Sequence, residues 1–504
     1  MGIVNQKGVI RQYFQYYIDY KYKWACMVAI FGAIIIGGLL GMGQWLLVFG
    51  FCTILLFIII AWVNSWISLL IFLFIIPIVP QSFGFYMNGI PILLSIQRLL
   101  IIPLLGIWLI KKVSRRNWNS PPKVFFALIL LYFGLTSLSS FIAPDTKAAF
   151  FRSVANYIEF IGLFIIINDL VISIKRIKTF LMTWVASSLL AFIFGLIEVL
   201  TGWNVVEKFS SNTNLVFWNT EDLGHGFQRA FSLFDHPISY SWFAALAFLA
   251  AVALLIMEKE NKRKIIWFVA IIANSGSLVF SFGRTVILGF ICAIILMIIS
   301  MLPKQRFKFS KVVVICLFLL MLFFSVEPTF LEKRYTSLKE GLLYSSIEND
   351  NSWAVQGRLS LIDKGLWLIK SRPLGYGYTA TSRNRDSAYF QKTFEGMFGF
   401  ENHYILVMIE TGIQGLISFL LPIFWLWRQT YLLIKNSAPF GRNDSWMLMI
   451  FFLSLIIFIL IVFMGTSFLG NQEQLYWAIL GLAGAFYGVI ENEIKSTRFI
   501  HYSN

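Results

Sequence analysis

The chain is written mostly in long apolar runs separated by short polar links. About fourteen such runs recur, at 24–41, 45–62, 66–80, 91–110, 124–142, 153–170, 179–200, 237–257, 265–282, 285–302, 311–327, 403–427, 445–464 and 473–490. A predominantly apolar run of roughly 17–25 residues is the length a helix needs to cross a bilayer. The third run is short and ends in proline, so twelve to fourteen spans are expected. The predicted fold class is an all-α membrane protein of about 12–14 transmembrane helices with one large extracytoplasmic loop. Its expected divisions are a cytoplasmic N-terminus (1–23), a bundle of about eleven helices (24–327) with an outer loop at 201–236, the large loop (328–402), three C-terminal helices (403–490) and a cytoplasmic tail (491–504).

Lys and Arg orient these runs. With the N-terminus inside, the clusters Lys111–Lys112–Arg115–Arg116, Lys175–Arg176–Lys178, Lys259–Lys262–Arg263–Lys264, Lys304–Arg306–Lys308–Lys311, Arg428–Lys435–Arg442 and Lys495–Arg498 all fall inside under the same span count. That is the pattern of the positive-inside rule. Both termini are then cytoplasmic, and 201–236, the link Ser281–Thr285 and Pro328–Asn402 face the other side. Within the largest loop, Leu331, Tyr335, Leu338 and Leu342 share one helical face, and Leu359, Ile362, Leu366 and Ile369 share another. Two amphipathic helices are expected there, and an interfacial position on the bilayer accounts for their apolar faces. Ser371-Arg372-Pro373 stops the second helix, and Gly375 and Gly377 make a turn.

Composition agrees: 58% of the 504 residues are hydrophobic and only 13% are charged, against about 25% charged in a soluble chain. The formal charge of +16 is spent in the inner loops, so it does not point to nucleic acid. Cys26, Cys52, Cys292 and Cys316 all lie in apolar runs and read as small core residues. Met1–Lys23 shows no cleavable signal pattern.

Several chemistries lack their residues. There is no Asp-x-Asp, no P-loop, no G-x-G-x-x-G opening a helix and no H-E-x-x-H. The inner loops are too short for a nucleotide domain, so no cofactor and no metal are expected, and an active site must use outer loops and helix ends. Arg229, Arg284, Arg358 and Arg372 all fall there. Arg forks pair bidentately with phosphate, which suits a phosphorylated lipid; the alternative is snorkelling to lipid headgroups. Arg358 and Arg372 are fourteen residues apart, about 21 Å on one helix, so one diphosphate cannot be clamped by both. Arg358 is placed at a helix N-terminus, which favours anions. Arg372 is at a C-terminal end, where the dipole alone explains a cation. Arg284 and Arg358 are therefore preferred.

Glu401 and His403 precede the twelfth run, and either accepts a proton near neutral pH. Two residues apart on a helix is about 200°, so only one of them faces a given site. Glu401 is otherwise a helix-start carboxylate, and His403 an interfacial histidine. Arg98, Glu159 and Glu198 lie within runs and are expected to face the bundle interior or a wet cavity, Glu198 near an interface. Gly412 and Gly415 are read as sites of close helix packing.

Four stretches together resemble the O-antigen ligase and polymerase superfamily of bacterial membrane glycosyltransferases. They are QRAFSLFDHPISYSWFAALAFLA (228–250), SFGRT (281–285), GRLSLIDKGLWLIKSRPLGYGY (357–378) and ENHYILVMIETGIQG (401–415). Aligned on Asn402, Tyr404, Glu410, Gly412 and Gly415, the family's frequent His falls on Glu401, with His403 two places later. The resemblance implies a GT-C-like fold and a glycan donor on polyprenyl diphosphate. It also implies a glycan acceptor and metal-free transfer outside the cytoplasmic membrane. Arg284 and Arg358 would hold the diphosphate, Glu401 or His403 would be the base, and Arg229, Arg372, Asn402 and Tyr404 would touch substrate. The expected function is polymerisation of lipid-linked oligosaccharide units of a surface polysaccharide. A ligase with the same chemistry is the close alternative, and a transporter that flips lipid-linked sugars is the alternative of another class. Membrane lipids, a flippase and chain-length regulators are the expected partners. Transport folds favour internal repeats, and none is visible here.

Overall fold

The computed structural model describes residues 45–80, 84–86, 93–115, 121–209, 229–301, 353–378, 402–436, 444–468 and 471–502. The chain divides into two compact units, Met1–Asn64 and Ser65–Asn504. The described part of the first is helix α1 (Trp45–Val63), apolar along its whole length and carrying the free thiol Cys52. Expected runs at 24–41 and 311–327, the amphipathic helix at 331–342, Cys26 and Cys316 lie outside the described residues.

The second unit begins with α2 (Ser65–Ile75), cut short before Pro77 and Pro80. A short antiparallel ladder follows, β1 (Gly84–Tyr86) on β2 (Leu93–Ser95), with Gly84 opposite Ser95. The run expected from residue 91 therefore starts as a strand and becomes helix α3 only at Ile96 (Ile96–Arg115). Then come α4 (Lys123–Ser140), α5 (Thr146–Leu170) and α6 (Ile174–Thr201). The short α7 (Val205–Phe209), α8 (Pro237–Met257), α9 (Asn261–Ser281) and α10 (Arg284–Ser300) follow. The last four are α11 (Trp353–Ser371), α12 (His403–Asn436), α13 (Asp444–Val462) and α14 (Gln472–Tyr502). Among the described residues, seven helices (α4, α5, α6, α8, α9, α12 and α13) are long and apolar enough to cross a membrane. The protein is a multi-pass, all-α membrane protein apart from the small ladder.

Helix α8 is the centre of this unit. Its residues from Ser239 to Leu254 are all buried. Six alanines between positions 244 and 253 let its neighbours approach closely, the usual basis of helix packing in lipid. Polar cross-bonds add direction: Tyr240 donates to Ser277 Oγ at 2.8 Å and Asn274 to Ser188 Oγ at 3.0 Å.

Among the described residues, Lys112, Arg176 and Lys178 of the predicted inner loops lie at the end of the unit where α6 and α13 begin. Lys112 pairs with Asp169 at 2.6 Å, Lys178 pairs with Asp444, and Arg176 lies over the Trp66 ring. The intramembrane charges sit inside, as expected. Arg98 pairs with Glu159 at 2.8 Å, and Gln474 donates to the other Glu159 oxygen. Glu159 stands in a π-turn, Tyr157–Ile161, within α5. Glu198 is not at an interface: it is buried, and its carboxylate accepts the N–H groups of Phe231 and Ser232 at 3.1 and 2.7 Å. A buried carboxylate keeps its charge only with such donors. Here it anchors the loop that enters α8.

Candidate active site

Three features stand at the opposite end from the Lys/Arg cluster. The first is the corner between α9 and α10. Phe282 turns the chain with φ 45, and Arg284 is the first residue of α10. Arg229 reaches the same corner, its Nε donating to Ser281 O at 3.0 Å while Ala230 N–H donates to Phe280 O at 3.1 Å. Two of the expected anion-binding arginines thus share one corner. Arg229 is held by a helix-end carbonyl, the partner a cation prefers, and Arg284 is exposed beside the N-terminal amides of α10. Nearby, His236 caps α8 by accepting Ile238 N–H on Nδ1 at 3.1 Å. Burial first, and then Arg229, lower its pKa to about 3, so the ring is neutral.

The second feature is the start of α12. Asn402 accepts Ile405 N–H at 3.1 Å and donates to Met464 O at 2.9 Å. Tyr404 donates to Leu460 O at 2.6 Å. Both side chains fasten α12 to the end of α13. His403 is enclosed. It is only 4% exposed and sits among Phe468, Phe463 and Phe419 at ring distances of 4.3, 4.8 and 5.0 Å. Neither ring nitrogen has a hydrogen-bond partner among the described residues. A base must reach the proton it removes, and an imidazole walled by three phenyl rings does not. Glu401 lies outside the described residues. The Phe463–Thr466 turn that receives Asn402 also carries Gly465, against which Thr285 packs. The Arg284 corner and the start of α12 are therefore joined through one turn.

The third feature is a clamp between two glycine-bearing stretches. After α11 the chain turns through Pro373–Tyr378. Tyr376 N–H donates to Ile409 O at 2.7 Å, Gly377 N–H to Glu410 O at 3.0 Å, and Ile413 N–H to Pro373 O at 3.1 Å. Helix α12 opens to make these bonds, with Gly412 at φ 77, ψ −178. Gly412 is thus a helix break, not a helix-packing glycine. Gly415 likewise faces the Thr411 side chain of its own helix. The clamp delivers Tyr378 onto α5, where Asn156 donates to its phenol oxygen. Desolvation, and then the carboxylates of Glu473 and Glu410, hold the Tyr378 phenol well above the ordinary tyrosine pKa. Asn156 and Glu473 carry no motif signature, Tyr378 closes the PLGYGY stretch, and only their meeting in space singles out the three.

Helix α11 also departs from expectation. It begins by Trp353, so Arg358 lies more than a turn inside it and gains no helix-terminus field; its side chain is outside the described set. The helix runs unbroken to Ser371, which keeps Arg358 and Arg372 far apart. Arg372 is exposed and lies over the Tyr376 ring at 5.4 Å. The buried face is Leu361, Ile362, Leu368 and Ile369, packed on Ile405 and Ile409 of α12. Leu366 is on the open side with Trp367, which is 64% exposed. α11 is therefore docked on the bundle rather than lying only on lipid.

A membrane-embedded helical bundle with paired arginines beside a docked loop defines the class. Residues 269–420 match the family model described as O-antigen ligase. That segment holds the Arg284 corner, α11, the clamp and the start of α12, and it bears out the O-antigen ligase-like resemblance carried by SFGRT, PLGYGY and ETGIQG. No curated protein matches the chain.

Proposed function

We propose that the protein is a glycosyltransferase that polymerises lipid-linked oligosaccharide units of a bacterial surface polysaccharide at the outer face of the cytoplasmic membrane. The observation that supports it best is the union of the Arg229–Arg284 corner with the start of α12 through the Phe463–Thr466 turn. An anion holder then stands beside the start of α12, the element that Glu401 precedes in sequence. In the proposed reaction an acceptor hydroxyl oxygen attacks the anomeric carbon of the donor. The bond from that carbon to the polyprenyl diphosphate breaks with inversion. Glu401 takes the hydroxyl proton, and Arg284 and Arg358 hold the departing diphosphate, whose low basicity needs no proton. The family description favours a second reading, ligation of finished glycan to a different acceptor by the same steps.

Gene deletion with analysis of surface glycan length separates the two. Loss of long chains with retained single units marks a polymerase; long chains stranded on lipid mark a ligase; an unchanged glycan profile overturns both. The proposed orientation has its own test. A cysteine introduced at Asn349 should react with an impermeant thiol reagent in intact cells, and reaction only after permeabilisation would place the loop inside. For the donor, Arg284→Lys keeps charge but loses the fork. A charge-assisted contact of roughly 2–3 kcal/mol corresponds to about 30–150-fold in turnover. Wild-type rates for a normally inserted Arg284→Lys protein would reduce Arg284 to an interfacial anchor.

A further inference from the structure

We infer that the side chains gathered around Tyr378 form a sugar-binding subsite for the glycan acceptor, separate from the arginine corner; this rests on the transferase reading above. The clamp that builds it is mostly backbone. Three main-chain bonds join Tyr376, Gly377 and Pro373 to Ile409, Glu410 and Ile413, and Gln414 Nε2 donates to Leu374 O at 3.2 Å. Such a clamp fixes the side chain that leaves it, and that side chain is Tyr378.

Four elements converge there. The turn supplies the phenol, and α5 supplies Asn156, bonded to it, with Arg152 one helical turn earlier. Helix α12 supplies Glu410, and the first turn of α14 supplies Glu473. The π-turn that begins at Tyr157 changes the register of α5 at this point. Asn156 then addresses Tyr378, while Glu159 addresses Arg98 and Gln474. π-turns inside helices concentrate at functional sites.

The chemistry of the set selects its ligand. Two carboxylates, an amide, a phenol and a guanidinium supply both acceptors and donors, the mixture that hydrogen-bonds vicinal hydroxyls. Formal charge at the cluster is two carboxylates against one Arg, which repels a diphosphate. The arginine corner has the opposite character. Charge therefore assigns the lipid diphosphate to the corner and the neutral polyhydroxyl acceptor to Tyr378. Arg152, Asn156, Tyr378 and Glu473 are each half-buried. Glu410 lies seven residues beyond His403, about 10 Å along the helix, which suits a sugar chain running from the transfer point into the bundle.

The test uses the full-length protein in nanodiscs and, as probe, lipid-free oligosaccharide released by mild acid from the producing cell's own surface glycan. Tyr378→Phe and Glu473→Gln preserve shape, and Asn156→Ala removes the amide. Each should weaken probe binding and raise the acceptor KM about tenfold, the scale of one lost hydrogen bond. The donor KM and the melting temperature should stay at wild-type values. Probe binding and acceptor KM unmoved by all three variants would make the cluster an internal brace and overturn the subsite. A rise in donor KM with probe binding unchanged would overturn it too, by placing the diphosphate there. Wild-type protein that binds the probe but transfers nothing would uphold the sugar site and overturn the transferase reading instead.

Discussion

Replacing Glu401 with glutamine should abolish glycan transfer while leaving binding of the lipid-linked donor largely intact. The acceptor hydroxyl must lose its proton as it attacks, and the diphosphate leaves without one, so a single general base suffices. General bases contribute roughly 10²–10⁴-fold, and the amide of glutamine preserves shape while removing basicity. His403, the other candidate in this stretch, is enclosed by Phe419, Phe463 and Phe468. Glu401 adjoins Asn402 in sequence, and Asn402 fastens the start of α12 to the turn against which Thr285, next to Arg284, packs. The companion variant is His403→Phe, which refills an aromatic box with an aromatic ring and should transfer at near wild-type rates. His403→Ala should lower the melting temperature by opening a cavity. Single-turnover transfer in proteoliposomes with purified lipid-linked donor ranks the variants. An active Glu401→Gln protein beside a dead but folded His403→Phe protein would return the base to histidine.

The second large effect is expected at the clamp. Gly375→Ala and Gly412→Ala should each reduce transfer by more than about a hundredfold, because both contribute conformation and space at once. Gly412, at φ 77 and ψ −178, occupies a backbone region that is essentially glycine-only and costs other residues about 1–3 kcal/mol. A methyl group there would meet Pro373 O at 2.6 Å, and one on Gly375 would meet Gly412 N at 2.6 Å and Glu410 O at 2.9 Å. These neighbours are main chain and cannot rotate away. The three clamp bonds break together, α11 loses its seat on α12 and Tyr378 its place on α5. Gly134→Ala, where a methyl meets nothing within 4 Å, is the matched control and should be silent. Limited proteolysis should find new cleavage near Gly375 in the clamp variants only. Normal transfer by Gly412→Ala would show that the turn is decoration and not part of the site.

Hydropathy and charge by themselves determined the membrane class and most of the helices. A span must satisfy its own backbone bonds in lipid, so apolar length alone nearly specifies it. The same logic assigned Arg98 and Glu159 to the interior and set the Lys/Arg clusters apart from the site residues, whereas Glu198, expected near an interface, proved buried. The order of four short stretches carried the family resemblance. What the tertiary structure decided concerns how local patterns are used. Asn402 and Tyr404 look like site residues in sequence, but their hydrogen bonds close on the end of α13. His403 carries the right ring for a base, and only Phe419 of α12 with Phe463 and Phe468 from the stretch after α13 reveal its enclosure. Leu366 fits the amphipathic period of α11, but the docking partner takes Leu368 in its place, beside the expected Ile362 and Ile369. Gly412 reads as a packing glycine because its left-handed backbone exists only to receive a turn some forty residues earlier in the chain. Asn156, Tyr378, Glu410 and Glu473 meet across four elements. Contacts that distant in sequence leave no periodicity to detect, since side-chain spacing reports neighbours on one helix and never the partner across the bundle.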